Sequence, residues 1–290
     1  MKYIAGRVLI LNSRGMLYLV ATPIGNLEDI TFRAIRTLKE VDFIAAEDTR
    51  QTVKLLNHFE IKKSLVSYYE HNKKEKGNYL INQLLEGKNI ALVSDAGTPG
   101  ISDPGEDLVR LCIENDIQVT MIPGPVAAVT GLVVSGLPAG RFAFEGFLTM
   151  NKRSRKERLA SLKNEARTLV FYEAPHKLAH TLKDLFDTFG NRKIVLAREL
   201  TKRFEEFIRC DLISAIDKYD HESPKGEFVL MVEGINEEEV SENRKKDWNS
   251  ITLQEHMGLY ISQGFDKKDA MKKVAEDRGI SKREVYNGLL

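Results

Sequence analysis

Residues 90–105 read IALVSDAGTPGISDPG, four apolar residues followed by a loop of glycine, proline and small polar side chains. An apolar run of this length bounded by turn formers reads as a buried strand. The loop then stands at the strand's carboxyl end, where open α/β sheets bind ligands. Gly97, Gly100 and Gly105 permit backbone conformations and close ligand approach that a Cβ would block, while Pro99 and Pro104 restrict the turns. Asp103 and Pro104 are expected to open a helix, the carboxylate capping free N–H groups and the proline in the first helical position. Leu108, Leu111 and Cys112 would form the inner face of that helix.

The same alternation extends in both directions. Strands are expected at 17–21, 43–46, 65–69, 89–94 and 117–122, with helices at 31–39, 51–57, 76–86 and after Asp103. Pro123, Gly124 and Pro125 punctuate the chain, and a second alternation follows. It comprises a helix at 126–135, a strand at 142–146, a basic helix after Asn151, and strands at 168–172, 193–198 and 227–233. The expected architecture is two α/β domains, 16–123 and 124–235. A charged linker and three short helical patterns, 253–262, 267–276 and 281–290, make 236–290 a helix-turn-helix-like extension. Residues 1–15 are read as an N-terminal extension before a start at Met16, with an added strand as the alternative.

The 290 residues exceed what one compact core usually holds. Lys plus Arg number 43 and Asp plus Glu 42, so the net charge of +1 excludes capture of nucleic acid by the global field and confines any contact to local patches. Cys112 and Cys210 are far apart and form no zinc-binding spacing, which fits a reducing, cytoplasmic setting. No apolar run approaches the roughly 20 residues needed to cross a bilayer, so no membrane partner is expected. Neither a GxxxxGK[ST] phosphate loop nor a GxGxxG dinucleotide turn is present, which removes P-loop NTPase and ordinary dehydrogenase readings.

Two more loops repeat the strand-then-small-residue pattern, IPGPVAAVTGL at 122–132 and ATPIGNLED at 21–29. With AAEDTR (45–50), YYEHN (68–72), FEGFL (144–148), FYEAPH (171–176), ARELTKRFEE (197–206) and GEFVLMVEG (226–234), the chain resembles the tetrapyrrole methylase superfamily, in particular its branch that acts on ribosomal RNA. The resemblance implies a class III methyltransferase with a cofactor cleft between two α/β domains, working as a homodimer with S-adenosyl-L-methionine. The implied reaction is 2'-O-methylation of a cytidine in the decoding region of 16S rRNA within the 30S subunit, with no DNA partner and no metal.

Residue by residue, the resemblance places Gly97, Thr98, Ile101 and Ser102 in the cofactor pocket, with Thr98 standing where many relatives carry Asp and Asp95 available as a nearby carboxylate. Pro125, Ala127 and Ala128 match a block that carries serines in many relatives, so backbone groups would make those contacts. Pro23, Tyr172, Glu173, Arg198 and Phe228 complete the expected cofactor set, with a structural ion pair at Arg198 and Glu199 as the plain alternative.

A neutral ribose hydroxyl is a poor nucleophile, so a base or polarising group is expected beside it. Asp48, Arg50 and His71 are the expected catalytic candidates, Glu47 is a further one, and alignment without any single base is the alternative. RNA phosphates are expected at Lys152, Arg153, Arg155, Lys156 and Arg158 and at Lys202 and Arg203, the alternative being a solvated helix face. Two rival functions are a corrin or porphyrin C-methyltransferase and an RNA-binding assembly factor without a working cofactor pocket.

Overall fold

In the first half, strands buried on both faces alternate with amphipathic helices. The elements are β1 (Met16–Val20), α1 (Phe32–Glu40), β2 (Phe43–Ala46), α2 (Thr49–His58), β3 (Ser64–Ser67), α3 (Lys73–Leu85), β4 (Ile90–Val93), α4 (Gly105–Glu114) and β5 (Gln118–Ile122). They belong to a computed structural model that describes residues 14–236, 248 and 250–289. All pairings in this sheet are parallel, in the order β3-β2-β4-β1-β5. Side chains alternate along β1: Leu17 and Leu19 pack with Leu80, Leu84 and Leu108 of α3 and α4, whereas Val20 packs with Ala34, Leu38 and Leu56 of α1 and α2. With helices on both faces, β2 and β4 are buried at every position and read as continuous apolar runs.

One local expectation changes. Asp103 does cap the turn before α4, but Pro104 takes the cap position and the helix begins at Gly105. The carboxylate spans the loop, its Oδ2 accepting from the Gly100 N–H and its Oδ1 from the Gly105 N–H, each at 2.8 Å.

The second half contains α5 (Ala127–Ser135), β6 (Phe142–Phe147), α6 (Lys152–Ser161), β7 (Thr168–Glu173), α7 (Leu178–Phe189), β8 (Lys193–Arg198), β9 (Glu206–Asp211), α8 (Leu212–His221) and β10 (Phe228–Val232). Its sheet runs β6-β7-β10-β8-β9, with β6 and β7 parallel and the other pairs antiparallel. The plain alternation read from the sequence contains neither β9 nor α7 and α8. EFIRCD, the β9 sequence, mixes polar with apolar residues and is half exposed, so it gives no apolar run longer than Phe207-Ile208. It folds back on β8 after a short connection, which makes that pair antiparallel. Phe228, Leu230 and Val232 of β10 face the α7 and α8 layer, while Val229 and Met231 face Ala128 and Leu132 of α5. Ile24, from the loop after β1, packs into that second cluster and joins the two halves.

Beyond residue 250, α9 (Leu253–Ser262), α10 (Lys267–Arg278) and α11 (Lys282–Gly288) close on their own core of Met257, Ala270, Val274, Ala275 and Val285. Thr252 with Glu255 and Ser281 with Glu284 form capping boxes, and Gly279 caps α10 at φ +65°, which makes the expected turn. The expected N-terminal extension lies outside the described residues except for Arg14 and Gly15, as do residues 237–247 and 249 of the expected linker. Among the described residues, no helix is long and apolar enough to cross a membrane.

Candidate active site

A cleft of about 510 Å3 opens between the carboxyl ends of β2 and β4 on one side and the ends of β7 and β8 with the start of β10 on the other. The loop 94–103 forms most of one wall, and backbone geometry fixes it. Gly97 sits at φ +77°, exchanges N–H and carbonyl hydrogen bonds with Thr22 at 3.0 and 2.9 Å, and has Ile24 Cγ2 where a Cβ would come within 3.1 Å. Thr98 Oγ1 donates to the Pro125 carbonyl at 3.2 Å, linking the two glycine-proline loops across the cleft.

Of the residues expected to hold a cofactor, Asp95, Gly97, Thr98, Ile101, Ser102, Ala127, Tyr172, Glu173 and Phe228 line this cleft. Four do not. Pro23 faces a smaller neighbouring cavity, and its neighbour Ile24 takes the place in the cleft. Pro125 contributes its carbonyl to Thr98. The Ala128 N–H, expected to meet a ligand, donates instead to Tyr172 Oη at 3.1 Å. Arg198 is turned away, its Nε donating to the Lys225 carbonyl at 2.6 Å and its Nη1 pairing with Glu206 at 3.3 Å. The strand-end ion pair therefore exists, with Glu206 of β9 as partner rather than Glu199.

The catalytic candidates also separate. Asp48 caps α2 and is held by Arg50, whose Nη2 reaches Oδ2 at 2.7 Å. That pairing lowers its pKa to about 2 and makes it a weak base. Arg50 is exposed, and His71 stands outside the cleft on an exposed turn with its ring edge toward Tyr69. Glu47, one residue before Asp48, lines the cleft, and burial together with the Asp95 and Asp103 carboxylates pushes its pKa up. Lys202 also lines the cleft, its Nζ bridging Glu199 at 2.9 Å and Glu227 at 2.8 Å. Glu173 spends both oxygens internally, accepting from the Ala174 N–H at 2.8 Å and Thr181 Oγ1 at 2.5 Å.

The basic cluster divides by helix face. Lys152, Arg153, Lys156 and Arg158 are exposed on α6, although Arg153 pairs with Glu157 and Arg158 with Glu145. Arg155 corrects the expectation: it is buried against Asp184 of α7 and cannot reach a phosphate. Lys202 is likewise neutralised inside the cleft, while Arg203 remains exposed over the Phe204 ring.

Residues 16–215 match the family model described as tetrapyrrole (corrin/porphyrin) methylases. The chain belongs to that family. A protein of Halalkalibacterium halodurans named ribosomal RNA small subunit methyltransferase I is 55% identical, with 95% of both chains covered. Its Bacillus subtilis namesake is 51% identical over 94% of this chain and 93% of its own. Among solved structures of the family's fold, a uroporphyrin-III C-methyl transferase from Thermus thermophilus complexed with S-adenyl homocysteine superposes with a TM-score of 0.55 at 17% identity, covering 75% of this chain and 97% of that one.

Proposed function

We propose that this chain transfers the methyl group of S-adenosyl-L-methionine to the 2'-oxygen of a cytidine ribose in the decoding region of 16S rRNA. Its particle would be the 30S subunit, its working form a homodimer, and its location the cytoplasm. The division between its two units would fall at residue 123. The observation that carries the reading is the near full-length identity of 55% and 51% to relatives named for the small-subunit rRNA. Likeness to a uroporphyrin methyltransferase at 17% identity extends to the fold and brings no porphyrin substrate with it.

The cleft suits S-adenosyl-L-methionine by its chemistry. Val126, Phe147, Tyr172, Leu200 and Val229 offer apolar faces for an adenine, while Thr98, Ser102 and Asp95 offer partners for ribose and amino-acid groups. Asp95 and Asp103 on the same wall favour a cationic ligand such as a sulfonium. When bound, the group supplies an activated methyl. The protein's part is to hold it and the ribose in line and to exclude water, and alignment of this kind can lower a barrier by several kcal/mol. On the outer surface, Lys152, Lys156 and Arg203 would take phosphates. The exposed valines of α5, Val129, Val133 and Val134, support pairing with a second copy.

The test is mass spectrometry of 16S rRNA from cells lacking the gene. Loss of one ribose methyl group, restored by the gene, is expected; an unchanged pattern refutes the reading.

A further inference from the structure

We propose that Glu47 is the general base of the methyl transfer, accepting the proton of the ribose 2'-hydroxyl as its oxygen is methylated. The inference rests on the reading of the cleft as a 2'-O-methyltransferase site. It begins with the direction of the chain at the end of β2. Ala46 closes the strand and Asp48 turns into the cap of α2, so Glu47 is the residue whose side chain is delivered to the cleft.

The other carboxylates on the walls already hold the loops or a lysine, Asp95 through one oxygen and the rest through both oxygens or an ion pair. Asp95 Oδ1 accepts the Asp48 N–H at 2.9 Å, and Asp103 uses both oxygens on Gly100 and Gly105. Glu173 is saturated by Ala174 and Thr181, and Glu227 neutralises Lys202. Among the described residues, no cationic side chain pairs with Glu47. Its charged surroundings are Asp48, Asp95 and Asp103 on its own side and, across the cleft, Glu173 and a Lys202 already held by Glu199 and Glu227. Burial and the charges of Asp95, Asp103 and Asp48 outweigh the opposing hydrogen bond from the Asp95 N–H and raise its proton affinity above that of an ordinary glutamate, as a base requires.

The step balances within the proposed reaction. The hydroxyl O–H bond breaks and its proton passes to a Glu47 carboxylate oxygen. The ribose oxygen forms the new bond to the methyl carbon, and the C–S bonding pair stays on sulfur, leaving a neutral thioether. Protonated Glu47 then returns its proton to solvent. Asp95 acts as a positioning and tuning residue, holding the Asp48 backbone beside Glu47 and keeping its proton affinity high.

Glu47→Gln is assayed in single turnover on unmethylated 30S particles with saturating S-adenosyl-L-methionine. Turnover is expected to fall by about 10²- to 10⁴-fold, with donor affinity by calorimetry within three-fold of wild type. A second readout needs no turnover: carbon NMR of glutamate-labelled, ligand-free protein, with the Glu47→Gln spectrum assigning the signal. Glu47 should titrate above the ordinary glutamate range, and Asp95→Asn should lower both that midpoint and the acid limb of the wild-type rate profile. Activity of Glu47→Gln within five-fold of wild type, a donor affinity that falls in proportion to turnover, or a midpoint that Asp95→Asn leaves in place would each overturn the assignment. Failure of the wild-type protein to methylate ribose would overturn both the base and the function on which it rests; a competent wild type beside an equally competent Glu47→Gln removes the base alone.

Discussion

Arg155 and Asp184 face each other in the interior, Nε to Oδ2 at 2.6 Å, with side chains only 8% and 7% exposed. Arg155 also donates to the Thr149 and Met150 carbonyls, each at 3.2 Å, and touches His180. It fastens α6 and the loop before it to α7. Its neighbours Lys152 and Lys156, on the same helix, point to solvent.

Arg155→Ala should therefore act on stability. It leaves Asp184 buried with only the exposed His180 imidazole, 3.5 Å from Oδ2, in place of the guanidinium, and breaking such a buried pair costs about 3–5 kcal/mol, measurable by urea unfolding. Lys152→Ala and Lys156→Ala should unfold like wild type. Each should weaken 30S binding and reduce its log-log salt slope by about 1.

Acid stability should depend on two surface pairs. Arg50 lowers the Asp48 pKa to about 2, and Arg167, reaching both oxygens at 2.8 and 2.7 Å, lowers that of Glu165 to about 2. A folded-state pKa below the unfolded one stabilises above the unfolded value and loses that contribution as pH falls toward the folded value. The melting temperature should drop between about pH 5 and 2, and Asp48→Asn combined with Glu165→Gln should flatten that drop.

Gly97→Ala should narrow the cleft and strain the loop. The added Cβ meets Ile24 Cγ2 at 3.1 Å on a backbone at φ +77°. Left-handed geometry costs an ordinary residue about 1–2 kcal/mol. Calorimetry should show affinity for S-adenosyl-L-methionine at least ten-fold weaker, with the protein still folded.

A chain ending at Asn236 should keep donor affinity within two-fold. The cleft residues fall between Ile24 and Val229, and the bundle of α9, α10 and α11 has its own core. Ending there also preserves the Ile235 N–H bond to the Glu165 carbonyl at 2.9 Å. Affinity for the 30S particle, measured on the same protein, reads whether the bundle contacts RNA: a drop assigns it there, and no change removes that role.

Most of the architecture was legible because its signals are local. The β1, β2 and β4 strands announce themselves as short apolar runs, and the loop 94–103 by its glycines and prolines. Strand β9 was not, because a half-exposed edge strand has no continuous apolar run and owes its place to pairing with β8. The antiparallel β7, β10 and β8 arrangement was hidden for the same reason, since strand neighbours are chosen by contacts distant in sequence.

By itself, the sequence determined the order of strands and helices in the first half, the glycine-proline loops at strand ends and the family, because periodicity and turn chemistry are written in neighbouring residues. Only the tertiary structure decided which side chains face the cleft. Glu47 and Asp48 are adjacent and chemically alike, yet the end of β2 turns one inward and the start of α2 ties the other to Arg50. Arg155 and Arg158 lie one helical turn apart, and the first is buried because Asp184, 29 residues along, waits on α7. Composition gives the charges present; the direction of each is set by partners that only folding brings within reach.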